Sequence, residues 1–171
     1  RIDDLGRVVI PKEIRRTMRI REGDPLEIYT TREGEVIFKK YSLIGGLEDF
    51  AAQFCDVLNR SSGFTAAVTD RDAIIAITGS GKRELLGKPL SDALAQVMEQ
   101  RSIYQYQGSG RPLPVSDSSD RYTVAVAAPI LCEGDVLGLV LFLSSDAQIP
   151  GEGEYKLAQT VSAFLGRHME T

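Results

Sequence analysis

Four basic side chains fall on one side of a short helix that is predicted to begin just after Pro11. On a helical wheel at roughly 100° per residue, with Ile14 at 0°, Met18 lies near 40°. The basic residues lie at roughly 100° (Arg15), 140° (Arg19), 160° (Lys12) and 200° (Arg16). Such a face can neutralise phosphates while the opposite face packs on a core. A solvated surface helix would show the same pattern, so the helix by itself leaves both alternatives open.

Charge is distributed unevenly along the 171 residues, whose net charge is −4. Residues 1–43 contain 10 Lys and Arg against 8 Asp and Glu, a net charge of +2, whereas the remaining residues contain 10 against 16, a net charge of −6. Residues 1–21 alone contain 7 Lys and Arg against 3 Asp and Glu. A positive patch at one end of an acidic chain favours a polyanionic partner at that end only.

The elements that must position the basic helix are short. A strand over Arg7–Ile10 is predicted to leave a turn at Gly6, and the helix to run from 12 to 18. Two strands, Leu26–Thr30 and Val36–Lys40, follow as a hairpin. Because so small a unit has little core of its own, we expect it to be stabilised by oligomerisation.

The first 43 residues also resemble a known family. The run DDLGRVVIPKEIRR, followed by GDPLEIY and VIFKKY, closely resembles the swapped-hairpin DNA-binding domain of AbrB-type transition-state regulators. The resemblance implies a dimer with interleaved strands that binds double-stranded DNA, and it assigns DNA contact to Arg7, Arg15 and Arg16. The wheel adds Lys12 and Arg19. We expect these residues mostly to contact phosphates, while specificity comes partly from DNA shape.

The resemblance has two further implications. The chain opens at Arg1 inside what the family has as its first strand, so we expect several residues, including any basic ones, to precede Arg1. The resemblance is strongest to members in which a GAF domain follows the DNA-binding domain and which control sporulation genes. For this chain we therefore expect an AbrB-like domain at 1–43, a linker at 44–46 and a GAF-like regulatory domain at 47–171.

The pattern of the remaining residues indicates an α+β domain with an antiparallel sheet flanked by helices, as in GAF and PAS domains. Its flanking first and last helices favour GAF. The predicted elements are a helix over about 47–60, strands at Thr65–Thr69 and Ala73–Thr78, a helix over about 92–101 capped by Ser91, a long surface loop over Ser102–Asp120, strands at Tyr122–Ile130 and Val136–Leu143, and a helix over about 152–169.

Apolar residues recur along the first and last of these helices more densely than one sheet face requires. We expect the two helices to pack against their counterparts in another subunit and to join two dimers into a homotetramer. The alternative is that both helices only cover the sheet. The residues are Leu47, Phe50, Phe54 and Leu58 on the first helix and Leu157, Val161 and Phe164 on the last.

Motifs for catalysis are weak, and we expect no enzymatic activity. The segment Thr78–Arg83 resembles a phosphate-binding loop, but Ala76 stands where the loop needs its first glycine and Arg83 where it needs Ser or Thr. A nucleophile would need a nearby base, and the single histidine, His168, lies in the last helix. Cys55 has apolar neighbours at helical spacing and is interpreted as a small buried hydrophobe.

Ligands are equally unspecified by the sequence. One histidine and the distant thiols of Cys55 and Cys132 do not make a metal site, and we expect neither a metal nor a cofactor, although the GAF domain could bind an unidentified small-molecule effector. Tyr104 and Tyr106 could line its pocket or simply pack within a loop. We expect a cytoplasmic, homo-oligomeric transcription regulator. A swapped-hairpin antitoxin that binds a toxin and its own operator is the alternative.

Overall fold

The computed structural model describes residues 1–41 and 47–170. The chain divides between residues 42 and 43 into two compact units. The predicted linker at 44–46 lies outside the described residues. In the part of the chain that the structure describes, no helix is both long enough and apolar enough to cross a membrane.

The first unit contains one helix and one hairpin. Helix α1 spans Lys12–Thr17, strand β1 spans Leu26–Thr30 and strand β2 spans Val36–Lys40. The two strands are antiparallel, and Ile28 lies opposite Phe38. Their predicted bounds are confirmed, because an apolar–polar alternation bounded by a Gly-containing turn is a strong local signal.

The strand predicted over Arg7–Ile10 is wrong for the described chain. Only an isolated bridge between Ile2 and Val8 forms there, supported by a hydrogen bond from the Val9 amide to the Arg1 carbonyl oxygen (3.3 Å). Strands β1 and β2 pair only with each other, so within the described chain Val8 has the single bridge partner Ile2 and no ladder forms.

The first unit has no buried residue anywhere in residues 1–41. Burying apolar surface is the main favourable contribution to folding, so a unit without a closed core is poorly stabilised by its own contacts. The large hydrophobic residues that remain exposed in this single chain are Ile2, Leu5, Val8, Val9, Ile14, Met18, Ile28, Tyr29, Val36, Ile37 and Tyr41.

The second unit is an α+β structure in which helices pack on one antiparallel sheet. The sheet has the order β4-β3-β8-β7-β5, and β6 also pairs with β7. The elements in chain order are α2 (Glu48–Ser62), β3 (Thr65–Thr69), β4 (Ile74–Thr78), α3 (Lys82–Leu85), α4 (Asp92–Gln100), β5 (Tyr104–Gln105), β6 (Pro114–Ser116), β7 (Ser119–Cys132), β8 (Asp135–Ser144) and α5 (Glu152–His168).

Each face of this sheet has its own hydrophobic core. Helices α2 and α5 cover one face, around Leu58, Phe142 and Leu165, while α3 and α4 contribute to the other, around Leu94 and Leu141. The chain therefore has the antiparallel α+β architecture that its sequence predicted.

Three local features explain how the helices of the second unit are held. Ser91 caps α4, since its hydroxyl oxygen accepts from the Leu94 amide (3.2 Å), as predicted, and the same hydroxyl donates to the Pro114 carbonyl (2.7 Å). Helix α2 ends at Ser62 and is capped by Gly63, whose φ of 76° favours glycine. Helix α5 approaches β7 so closely that a Cβ on Gly166 would collide with the Leu131 carbonyl oxygen.

One prediction for the middle of the second unit is wrong, and one short helix there was not predicted. The stretch Ser102–Asp120 is not only a surface loop, because it contains β5, β6 and the first residues of β7 and places Val115 and Ser116 in the interior. Helix α3 was also missed. The stretch Ser102–Asp120 is rich in glycine, serine and proline, and β5 and β6 are ordered by pairing with β7, which leaves no periodic signal in the sequence. Helix α3 has only four residues, too few to show a helical period.

Candidate nucleic-acid interface

Helix α1 presents the basic side chains that the sequence singled out. Lys12, Arg15 and Arg16 are all exposed, and the structure places them together on this one helix. No residue of α1 is buried, and the apolar Ile14 is 47% exposed in the single chain. In a single chain, both the basic face and the apolar face of α1 are therefore exposed to solvent.

Arg19 does not lie on the helix, so the wheel position given to it is wrong. The helix ends at Thr17, Met18 is its C-terminal cap, and Arg19 has a left-handed backbone with φ of 52°. A non-glycine residue in this conformation is strained unless its surroundings hold it. Here the Arg19 carbonyl oxygen accepts a hydrogen bond from the Lys40 ammonium (2.8 Å).

Lys40 and Asp24 anchor the turn that follows α1 to the β1–β2 hairpin. The Asp24 carboxylate accepts from the Arg21 amide (2.8 Å), and the Lys40 Nζ lies 3.9 Å from the same oxygen. Sequence reasoning missed this pair, because Lys40 bonds a carbonyl 21 positions away and no local pattern relates them. The pair fixes where the helix ends relative to the hairpin.

Arg7 lies on the turn before the helix, where Gly6 has a φ of 74° that favours glycine. Its Nε donates to the Asp3 carboxylate (2.7 Å), and its side chain is 72% exposed. The basic set therefore has three members on α1, one on the turn before it and one on the turn after it. Exposed guanidinium and ammonium groups in such a set can bind a polyanion by charge and by hydrogen bonds.

The two tyrosines considered as pocket residues pack within the second unit. Tyr104 lies half-buried on β5, where burial raises the pKa of its hydroxyl. Tyr106 is buried, and its hydroxyl lies 3.5 Å from the Gly110 carbonyl oxygen, to which it donates. Tyr104 therefore packs on a strand rather than in a loop, and Tyr106 has a contact within the loop.

The surroundings of both cysteines disfavour the thiolate form. Cys55 is buried on α2, as predicted, and burial raises the pKa of its thiol to about 12. Burial and the neighbouring carboxylates, led by that of Glu133, also raise the pKa of Cys132. Among residues 1–41 and 47–170, no group of three His, Cys, Asp or Glu side chains is placed to hold a metal ion.

Family models match both units. Residues 46–170 match the model described as "Stage V sporulation protein T C-terminal, transcription factor". The chain belongs to the stage V sporulation protein T family. Residues 1–43 match a model described as "Antidote-toxin recognition MazE, bacterial antitoxin". The first model covers most of the chain and is the one that decides the family.

Two relatives from Bacillus subtilis (strain 168) agree with this assignment. The stage V sporulation protein T of that organism is 49% identical over 173 residues, which cover 99% of this chain and 95% of the relative. Its transition state regulatory protein AbrB is 58% identical over 41 residues, 24% of this chain and 42% of AbrB. The predicted resemblance to AbrB-type regulators is confirmed, and the protein is a transcription factor of the sporulation family.

A solved structure relates the second unit to the GAF fold. The GAF domain/HD domain protein from Geobacter sulfurreducens has a TM-score of 0.52 with 17% identity, over 76% of this chain and 99% of that one. At this identity the likeness concerns the fold alone. The predicted combination of an AbrB-like domain with a C-terminal GAF fold is confirmed.

Proposed function

We propose that this transcription factor binds double-stranded DNA through α1 and its two flanking turns. The observation that carries the proposal is the set of exposed basic residues on and beside α1, in a segment with the sequence of AbrB-type DNA-binding domains. The contacting residues are Arg7, Lys12, Arg15, Arg16 and Arg19. A short, exposed helix with this charge can contact phosphates whatever the DNA sequence is. These contacts also fix the position of the protein along the duplex.

A second copy of the chain completes the first unit. Residues 1–41 carry a row of exposed hydrophobic side chains and no buried residue, which is the surface expected of half of a two-chain core. Interleaving of two copies would cover Val9, Ile14 and Ile28, and it would give residues 7–10, which form only an isolated bridge within one chain, a neighbouring strand with which to pair. The dimer then presents two copies of every basic residue to the DNA.

Binding of the full-length protein to a fluorescent duplex oligonucleotide, measured at several salt concentrations, tests the DNA proposal. If the dimer neutralises about 5 to 8 phosphates, log K falls against log salt with a slope of about −4 to −7. Arg16→Ala removes one phosphate contact in each chain, so the slope of log K against log salt becomes less negative by about 2.

Lys156→Ala is the matched control for Arg16→Ala, because it removes an exposed positive charge from helix α5 of the other unit. We expect its affinity and its salt dependence to equal those of the wild type. The proposal fails if wild-type affinity is independent of salt or if Arg16→Ala binds like Lys156→Ala.

The GAF unit joins two such dimers into a homotetramer. Phe50, Phe54, Phe164 and His168 form an aromatic patch on α2 and α5, with ring centroids 5.0 Å apart for Phe50 and Phe54 and 5.5 Å for Phe54 and Phe164. Phe164 is 48% exposed, so the patch reaches the surface. Leu58 and Val161, which were also assigned to this surface, are buried in the core and do not contribute to it.

Light scattering distinguishes a tetramer from the alternative in which α2 and α5 only cover the sheet. The wild type should have the mass of four chains and Phe164→Glu the mass of two. Ile149→Glu is the control, because Ile149 is an exposed apolar residue of the same unit outside the patch. A wild-type mass of two chains would leave the GAF unit as a sensor without an assembly role.

Two alternatives are less well supported. An antitoxin would share the model matched by residues 1–43, but a second unit with two closed cores differs from a tail that folds on a toxin. An enzyme with a cysteine nucleophile would need a thiolate, and the raised pKa values of both thiols disfavour that form. We infer that the protein acts on DNA in the cytoplasm and has no enzymatic activity.

A further inference from the structure

The turn that leads into the basic helix is closed by one acidic side chain. The backbone of Asp3 pairs with that of Arg7, since the Asp3 amide donates to the Arg7 carbonyl (3.0 Å), and the Gly6 amide donates to the Asp3 carbonyl (2.9 Å). The isolated bridge between Ile2 and Val8 extends this pairing by one residue on each side. Asp3 and Arg7 thus face each other across a tight loop.

The Asp3 carboxylate accepts three N–H groups within this loop. Its Oδ1 accepts from the amides of Leu5 (3.1 Å) and Arg7 (2.8 Å), and its Oδ2 accepts from the Arg7 Nε (2.7 Å). The backbone hydrogen bond from Arg7, followed by that from its side chain, lowers the pKa of Asp3 below its ordinary value. The carboxylate is therefore ionised at neutral pH, and its bond to Arg7 is charge-assisted.

Arg7 keeps most of its hydrogen-bonding capacity for another partner. A guanidinium has five N–H donors, and Asp3 takes the one on Nε. The four donors on the two terminal nitrogens lie on a side chain that is 72% exposed, and no other protein partner contacts them among the described residues. The guanidinium is held at its base while its outer edge faces solvent.

We propose that Asp3 is a positioning residue for DNA binding, which holds the guanidinium of Arg7 in the orientation that contacts the duplex. The proposal rests on the proposed function, because it assigns Asp3 a part in the same interface. Holding a long side chain before binding removes part of the entropy lost when the side chain is ordered on the ligand. A second-layer contact of this kind gives a binding group its geometry without touching the ligand.

The proposal predicts an effect opposite in sign to that of charge alone. A carboxylate next to a phosphate-binding surface repels DNA, so its removal should strengthen binding if Asp3 acted only through its charge. Positioning predicts that its removal weakens binding. Asp4 separates the two effects, because it is exposed, carries the same charge one residue away, and makes no side-chain hydrogen bond or ion pair within the described residues.

The test compares Asp3→Asn with Asp4→Asn in the full-length protein, using one duplex oligonucleotide at fixed salt. Asparagine keeps an oxygen that can accept the two backbone amides but removes the ionic bond to Arg7. We expect Asp3→Asn to bind about 3 to 10 times more weakly and Asp4→Asn to bind equally or up to about twofold more tightly. The proposal is overturned if Asp3→Asn binds as tightly as the wild type or more tightly.

A double-mutant cycle separates positioning from a general loss of structure. If Asp3 acts through Arg7, the change Asp3→Asn has no effect beyond about 1.5-fold once Arg7→Ala is present. An equal loss with and without Arg7 would mean that Asp3 only maintains the loop, and it would overturn the proposal. The melting temperature of each variant is measured beside its affinity.

Arg7→Lys keeps the test decisive if Asp3→Asn does not fold. Lysine retains the charge but lacks the Nε and the planar fork that Asp3 orients, so we expect about the same loss as for Asp3→Asn. Wild-type binding by Arg7→Lys would overturn the proposal. Failure of the proposed function looks different, since Arg16→Ala would then bind DNA as the wild type does, whereas failure of this inference leaves the Arg16 effect intact.

Discussion

Strands β1 and β3 have the same length and similar apolar content, yet their surroundings differ completely. All five residues of β3, Thr65–Thr69, are buried, because helices cover both faces of its sheet. In β1, Leu26–Thr30, no residue is buried and three are exposed. Every buried hydrophobic residue of the described chain lies at or beyond Ala51. The two units thus differ in whether a single chain encloses their hydrophobic residues.

The difference teaches which part of the protein depends on assembly. The GAF unit closes a core on each side of its sheet within one chain, so its fold is specified by its own contacts. The AbrB-like unit has the local signals for a helix and a hairpin but lacks an enclosed core. Under the proposal made above, a second copy supplies the missing stability and brings a second basic helix to the DNA duplex.

The largest expected effect is a core substitution in the GAF unit. Leu141 is fully buried on β8, so Leu141→Ala should lower the free energy of unfolding of this unit by about 2–5 kcal/mol through lost burial and a cavity. Chemical denaturation followed by circular dichroism measures the change. Leu131→Ala, at a site 40% exposed on β7, is the control and should lose less than about 1 kcal/mol. Equal losses would mean that the enclosed core is not what stabilises the unit.

A smaller effect is expected in the AbrB-like unit, at a residue that a single chain leaves in water. Ile28 is 63% exposed, so within one chain Ile28→Ala should cost almost nothing. Because a second copy would cover it, we expect a loss of about 1–2 kcal/mol in the unfolding transition of this unit. Ile149→Ala, at a residue of the GAF unit with 60% exposure, is the control. No difference between the two variants would argue that Ile28 stays exposed in solution.

The smallest expected effect concerns the closed core of the GAF unit and leaves its stability unchanged. A thiol reagent at neutral pH should modify the partly exposed Cys132 at least about a hundredfold faster than Cys55, because burial blocks access and raises the pKa of Cys55 to about 12. Mass spectrometry of the labelled peptides measures both rates. In denaturant the two rates should converge. Rapid labelling of Cys55 in the native protein would show that α2 opens easily.

The sequence predicted elements with a strong local signal and missed those held by distant contacts. The bounds of β1 and β2 were predicted to the residue, and the Ser91 cap was found from its residue type and position. Strand β6 was missed, because its three residues are ordered by pairing with β7 rather than by any periodicity.

The candidate interface was predicted in part for the same reason. The basic residues of α1 are visible from spacing, and the family resemblance supplied Arg7. The position of Arg19 was wrong, since a left-handed residue after the helix is fixed by the bond from Lys40 to its carbonyl, a contact with no sequence signature. The contacts of Asp3 were not predicted either. Asp3 and Arg7 are four residues apart, a spacing that occurs both in tight loops and in helices, so the spacing alone does not indicate the hydrogen bond between them.

Thermal unfolding of a truncated protein that ends at Tyr41, followed by circular dichroism over about a hundredfold range of concentration, tests the central claim most directly. If a second copy completes this unit, its melting temperature rises with concentration, because unfolding then separates two chains, and light scattering gives the mass of two chains. A folded species with the mass of one chain and a melting temperature independent of concentration would contradict the account.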